Sequence, residues 1–169
     1  MLFIARTDGH TIRLRRETFD LVELSEDVVR ELRHLADDRN VSLQLLPPDG
    51  PTEFRLDPDR IRQLLIILID NALRFAPRDS EVCVRWEPEA GGWRLSVEDQ
   101  GPGIHSQDLP YIFDRFFRGQ QASPADSQGG MGLGLAVAKA IVQAHEGDIR
   151  ADNRTSGGCR LLAYFPEVA

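Results

Sequence analysis

Asn71 lies in Asp70-Asn71-Ala72-Leu73-Arg74-Phe75, at the end of a run that is otherwise almost wholly apolar. A buried amide left without a partner costs about 1 to 3 kcal/mol, so this one must bond either a neighbouring backbone carbonyl or a ligand. A second cluster, Asp99-Gln100-Gly101-Pro102-Gly103-Ile104, combines a carboxylate with glycines one residue apart. Such glycines let the backbone approach a ligand closely, and the carboxylate can accept a hydrogen bond from an exocyclic amine. The same pattern also arises as plain loop chemistry. A third cluster, Gly129-Gly130-Met131-Gly132-Leu133-Gly134-Leu135, stands directly before a helical pattern, where free N–H groups and the helix dipole suit phosphate oxygens. It does not follow a strand with dinucleotide-fold spacing, so a Rossmann reading fails on context.

The elements that must position these residues follow from periodicity. Asp57-Pro58-Asp59 is an N-cap, a proline at the first helical position and an acid on the helix dipole, opening a helix from Arg60 to Phe75 that Pro77 stops. Its residues Ile61, Leu64 to Ile69 are apolar nearly all round, which predicts burial on most sides. Val82, Val84 and Trp86 alternate, Glu89-Ala90-Gly91-Gly92 turns, and Trp93, Leu95 and Val97 return, a hairpin that delivers Asp99 to its end.

Upstream, Leu2 to Arg6 reads as the last turn of a helix ending near Asp8-Gly9. Ile12, Leu14 and Phe19-Asp20-Leu21 suit an extended segment, and Ser25 with Asp27 opens a helix that ends near Asn40. Val41, Leu43 and Leu45 form a strand, to which Phe54 and Leu56 return after Pro47-Pro48-Asp49-Gly50. Downstream, a short helical piece spans Leu109 to Phe117, Gly119 to Gly130 is a mobile loop, a helix runs from Leu133 to Ala144, and Ile149 with Ala151 and Leu161 with Ala163 and Phe165 make two final strands. Helices and mostly antiparallel strands in this order predict a two-layer α/β sandwich, a mixed sheet with helices on one face.

Composition limits what this sandwich can do. The 169 residues allow one domain of ordinary size, 41% hydrophobic and 28% charged, which is a globular and not a disordered composition. A formal charge of -7 argues against broad binding to nucleic acid or to an anionic membrane, so anion binding must be local. Lys139 is the sole lysine; the preference for arginine reflects either phosphate recognition or genome composition. Cys83 and Cys159 show neither disulfide nor zinc spacing, which points to a reducing, cytoplasmic setting. The longest apolar run, Leu64 to Ile69, is six residues, too short to cross a bilayer.

Taken in order, with Ile112-Phe113-Asp114-Arg115-Phe116-Phe117-Arg118 between the second and third, the clusters resemble the N, G1, F and G2 boxes of the catalytic ATP-binding domain of two-component sensor histidine kinases. The resemblance runs from about Asp57 to Phe165 and implies the Bergerat sandwich of the GHKL superfamily. It divides the chain into residues 1–16, the end of a dimerisation helix and a linker, and residues 17–169, the catalytic domain, with a nucleotide lid over about 104–129.

The implied activity is transfer of the γ-phosphoryl group of MgATP to a histidine on a dimerisation helix outside this chain, with a response-regulator receiver domain as the later partner. By the same resemblance Asn71 holds Mg2+, Arg74 and Arg118 reach the phosphates, and Asp99 takes the adenine amino group beside Gly101 and Gly103. Gly130, Gly132 and Gly134 line the phosphate end, and Phe75, Ile104, Phe113, Leu133 and Leu135 complete the nucleotide set. Phe113, Phe116 and Phe117 would pack the lid, although at least one of them reads equally as core. The full-length protein that the resemblance implies has room for a membrane anchor elsewhere.

Three departures matter. Ile67 stands where the N box has a second Asn and where related ATPases place a catalytic Glu, so hydrolysis is disfavoured. Met131 replaces Thr or Ser, and Cys159 stands where Thr often lies near the adenine carboxylate. His10, His34, His105 and His145 all lack the acid and proline context of a phosphoacceptor. Two alternatives remain at this level: a nucleotide-binding regulatory module without transfer activity, and a GHKL ATPase.

Overall fold

The structure, a computed structural model, describes residues 2–7, 10–114 and 134–168. In chain order it contains β1 (Leu2–Thr7), β2 (His10–Arg15), β3 (Glu17–Asp20), α1 (Leu21–Asp38), β4 (Ser42–Leu46), β5 (Glu53–Leu56) and α2 (Pro58–Phe75). There follow β6 (Glu81–Glu89), β7 (Gly92–Glu98), a 3-10 turn at Leu109–Tyr111, α3 (Gly134–Ala144), β8 (Asp148–Asn153) and β9 (Cys159–Phe165). The main sheet has five strands in the order β4-β6-β7-β9-β8, with β4 parallel to β6 and the other pairs antiparallel. All three helices pack against this sheet and in sequence against one another, α1 on α2 and α2 on α3. This is the mixed-sheet, two-layer sandwich expected.

Alternation along the strands builds the core between the layers. Val82, Val84, Trp86, Leu95, Val97, Leu161, Ala163 and Phe165 point inward and are buried. They meet Val28 and Val29 of α1, Ile61, Leu64, Leu65, Leu68, Ile69 and Leu73 of α2, and Ala138, Ile141 and Val142 of α3. The Trp86 indole N–H must be satisfied inside this core, and it donates to Ser25 Oγ at 2.8 Å, which itself donates to the Leu21 carbonyl at 2.7 Å. The opposite face of the sheet is polar, laced by Arg94–Glu87 (2.9 Å) and Arg160–Asp152 (3.0 Å).

Four expectations are corrected. Leu2 to Arg6 is not helical: Leu2–Thr7 pairs antiparallel with His10–Arg15, from Leu2↔Arg15 to Thr7↔His10. A lone helical turn fixes several residues for one hydrogen bond, whereas a ladder satisfies donors and acceptors along its length. The first helix begins at Leu21 and not at Ser25, because the Asp20 side chain caps it, accepting from Val22 N–H (2.9 Å) and Glu23 N–H (3.1 Å). The segment Phe54 to Leu56 returns not to β4 but to β3, with Phe19 opposite Phe54. Of the helical piece expected over Leu109 to Phe117, the described part is a 3-10 turn, and Phe116 and Phe117 lie outside the described residues.

Candidate functional site

The second half of α2 carries the first cluster and lies against the second and against Gly134, the first described residue of the third. Pro58 pre-sets the first turn, and Asp57 caps it by accepting from Asp59 N–H (3.0 Å) and Arg60 N–H (3.2 Å), which fixes the helix phase. At its C-terminal end the Phe75 carbonyl abuts Gly101, where a Cβ would lie 2.5 Å from the carbonyl oxygen. Two turns earlier Ile67 touches the start of α3: a Cβ on Gly134 would lie 3.7 Å from Ile67 Cγ2. Asn71 lies between these two contacts, one turn from each.

Asn71 is half-buried, and its amide makes no hydrogen bond among the described residues. The backbone-bonded alternative weighed for it therefore does not occur there. Arg74, one turn on, is paired with Asp70 of its own helix at 3.2 Å, and Phe75 is half-buried. No cluster of three or more His, Cys, Asp or Glu able to hold a metal exists among the described residues. A bound phosphate and water are suited to supply the remaining ligands of a cation beside Asn71.

Asp99 leaves the end of β7 and is 5% exposed. Its Oδ1 accepts from Gly101 N–H (2.8 Å) and Cys159 N–H (3.3 Å), while Oδ2 takes no hydrogen bond among the described residues. Burial pushes the Asp99 carboxyl above the usual carboxylate range, opposed by those two N–H groups and by the Arg154 guanidinium. The carboxylate is thus an oriented acceptor with one oxygen to spare. Burial, and next the Asp99 charge, push the Cys159 thiol up to about 12, so it is no nucleophile at neutral pH.

Asp99, Gly101, Gly103 and Ile104 therefore form one turn against the end of the helix that carries Asn71, Arg74 and Phe75, and Gly134 and Leu135 start the neighbouring helix. Phe113 is buried in the main core, together with Ile112. Arg118, Gly130, Gly132 and Leu133 lie outside the described residues, as do Met131 and residues 115–129 of the expected lid.

Several residues that hold the site escaped the sequence reading. Asn153, at the end of β8, grips both backbone groups of Ile104, and the Arg154 guanidinium donates to the Asp99 carbonyl at 3.0 Å. Gly158 has φ +96°, and a Cβ there would lie 2.0 Å from the Asp99 carbonyl oxygen. His145, considered only as an acceptor of phosphate, is fully buried. Its Nε2 accepts from Asp57 N–H at 3.1 Å and its Nδ1–H donates to the Ile141 carbonyl at 2.8 Å, tying the end of α3 to the cap of α2. Burial pushes its pKa down to about 4. The Gly157-Gly158 pair was the only local signal available for this group.

Comparison with known proteins places the fold in a family. Residues 56–169 match the family described as "Histidine kinase-, DNA gyrase B-, and HSP90-like ATPase". The sensor protein SphS of Synechococcus elongatus is 35% identical over 157 residues, covering 89% of this chain but 38% of SphS, so the chain spans well under half of that relative. The solved catalytic domain of the histidine kinase ThkA superposes with a TM-score of 0.79 at 26% identity, covering 91% of this chain and 97% of that domain. Full-length ShkA, solved in complex with AMPPNP, also superposes with a TM-score of 0.79, at 25% identity over 92% of this chain and 32% of ShkA. No helix among the described residues is long and apolar enough to cross a membrane.

Proposed function

The chain belongs to the histidine kinase-, DNA gyrase B- and HSP90-like ATPase family, and on that premise we propose that it binds MgATP between α2 and the Asp99 turn and delivers the γ-phosphoryl group to a histidine of a dimerisation helix. One observation carries this reading. Two polar side chains on adjoining elements, the Asn71 amide and Asp99 Oδ2, are without hydrogen-bond partners among the described residues, one suited to a hard cation and one to an exocyclic amine.

Asp99 orients the adenine, with Gly101 and Gly103 keeping side chains away from the ring. Asn71 would hold the magnesium ion through its amide oxygen, and Arg74 would exchange Asp70 for phosphate oxygens. Arg118 and Gly130, Gly132 and Gly134 complete the phosphate end. The magnesium, when bound, supplies charge neutralisation at the phosphates. Transfer breaks the bond from the bridging oxygen to the γ-phosphorus and forms a phosphorus–nitrogen bond to the acceptor imidazole, leaving ADP.

Ile67 favours transfer over hydrolysis. It occupies the place from which a carboxylate would activate water, and it packs toward Gly134 instead. The same residue supports a second reading, a nucleotide-binding module without transfer activity. On the kinase reading residues 17–169 are a cytoplasmic catalytic domain with a lid over about 104–129, residues 1–16 connect it to the dimerisation domain, and a response regulator receives the phosphoryl group.

Labelled ATP tests the choice. The 169-residue chain alone should incorporate no label, and a separately supplied dimerisation helix should be labelled at its histidine. Acid-labile label on the isolated chain would overturn the acceptor assignment. Steady phosphate release without any helix would favour the ATPase.

A further inference from the structure

The turn from Asp99 to Ile104 contains Gly101 and Gly103, so its own backbone does little to hold the carboxylate and the following peptide in one arrangement. Two consecutive residues of another element do so from outside. Asn153 Oδ1 accepts from Ile104 N–H at 2.8 Å, and Asn153 Nδ2 donates to the Ile104 carbonyl at 2.7 Å. One side chain thereby satisfies both groups of one residue, as a neighbouring strand would. The Arg154 guanidinium donates to the Asp99 carbonyl at 3.0 Å, and its Nε lies 3.6 Å from Glu98 Oε2. A Cβ on Gly103, which has φ +82°, would lie 2.9 Å from Asn153 Oδ1, so the amide sits directly against the turn.

We propose that Asn153 and Arg154 are positioning residues for base recognition: they clamp the last and first residues of the Asp99–Ile104 turn and so set the carboxylate for an amino-bearing purine. This rests on the reading of Asp99 as the adenine acceptor. Asn153 need not touch the nucleotide. Its effect passes through Ile104 to Gly103 and the face on which the ring lies. Arg154 acts at the other end, and its own backbone is set by a short turn in which Arg154 N–H donates to the Gly158 carbonyl at 2.9 Å.

The test uses the whole chain and three probes: ADP, inosine diphosphate, which lacks the exocyclic amine, and inorganic tripolyphosphate, which lacks a base. Calorimetry on Asn153→Ala and Arg154→Ala should show ADP affinity reduced at least about tenfold, a reduced preference for ADP over inosine diphosphate, and tripolyphosphate affinity unchanged. Arg154→Lys, which keeps a donor, should recover part of the preference. Equal losses for all three probes would mean general loosening and overturn the clamp, as would unchanged ADP affinity. Should Asn153→Ala fail to fold, Asn153→Asp keeps the acceptor for Ile104 N–H but loses the donor, and the same ratio is read on it. A native chain indifferent to the two bases would bring down the adenine assignment itself; a discriminating native chain with unaltered variants would overturn only the clamp.

Discussion

The two ends of the candidate site are built on opposite plans. At the Asp99 end nearly everything is held: one carboxylate oxygen accepts two backbone N–H groups, and the side chains of Asn153 at the end of β8 and of Arg154 just beyond it grip the turn. At the Asn71 end the side chains are held loosely. Among the described residues the amide is without a partner and Arg74 is paired only with the half-exposed Asp70. Reading a neutral ring needs an acceptor fixed in advance, since misplacement by a fraction of an ångström forfeits the hydrogen bond. Phosphate oxygens bring enough charge to organise arginine and magnesium around themselves.

The contrast predicts where perturbation costs most. Asp99→Ala should remove ADP binding almost wholly, by more than about 100-fold, because an oriented buried acceptor is lost and its two N–H donors are orphaned. Undiminished calorimetric affinity would show that the fixed end does not read the base.

The second effect is on stability and enters through His145, which ties α3 to α2. Its folded pKa is depressed to about 4 against about 6.5 unfolded, so its contribution is complete above about pH 6.5 and is lost as pH falls toward 4. The total is about 3 kcal/mol, at about 1.4 kcal/mol per unit. Urea unfolding from pH 7 to 4 should show that slope in the native chain and lose it in His145→Gln; an identical slope in both would assign it to carboxylates.

Asn71→Ala is expected to lower MgATP affinity about tenfold and leave magnesium-free ATP binding unchanged, a difference that titration with and without EDTA reads directly. Equal loss in both conditions would make Asn71 structural. The smallest effect belongs to Asp70→Asn. Freeing Arg74 from a partly exposed pair worth about 0.3 to 0.5 kcal/mol should raise ATP affinity about twofold, and a decrease would mean that Asp70 serves the site itself.

What the sequence made legible follows the range of the interactions involved. The helix α2 announced itself through Asp57-Pro58-Asp59 and its apolar run, all within its own span. The β6–β7 hairpin did the same through a turn whose Ala90 and Gly91 adopt positive φ, 46° and 82°, as a tight two-residue connection demands. Asp20 was passed over as a cap because Phe19 and Leu21 on either side read as strand. Whether Phe54 pairs with Leu45 or with Phe19 is not written in alternation, since both partners offer an apolar face. Asn153 carried no local signature, for its partner Ile104 is 49 residues away in the chain. The candidate site residues were readable because glycines and a carboxylate advertise their chemistry; the residues that brace them were not, because bracing depends on what the fold brings near.

The parallel pairing of β4 with β6 has a consequence for motion as well as for architecture. Parallel neighbours need a crossover, and this one contains α2, the helix bearing Asn71 and Arg74. In entropic terms the helix of the candidate site is part of the loop that the β4–β6 ladder closes, so opening that edge of the sheet lengthens the tether on which Asn71 is held. A ligand bound at Asn71 must therefore oppose that opening. Amides of Ser42 to Leu46, on a strand that contributes no residue to the candidate site, should exchange more slowly with deuterium when nucleotide is present, so that the outer edge of the sheet reports on occupancy of the crossover helix.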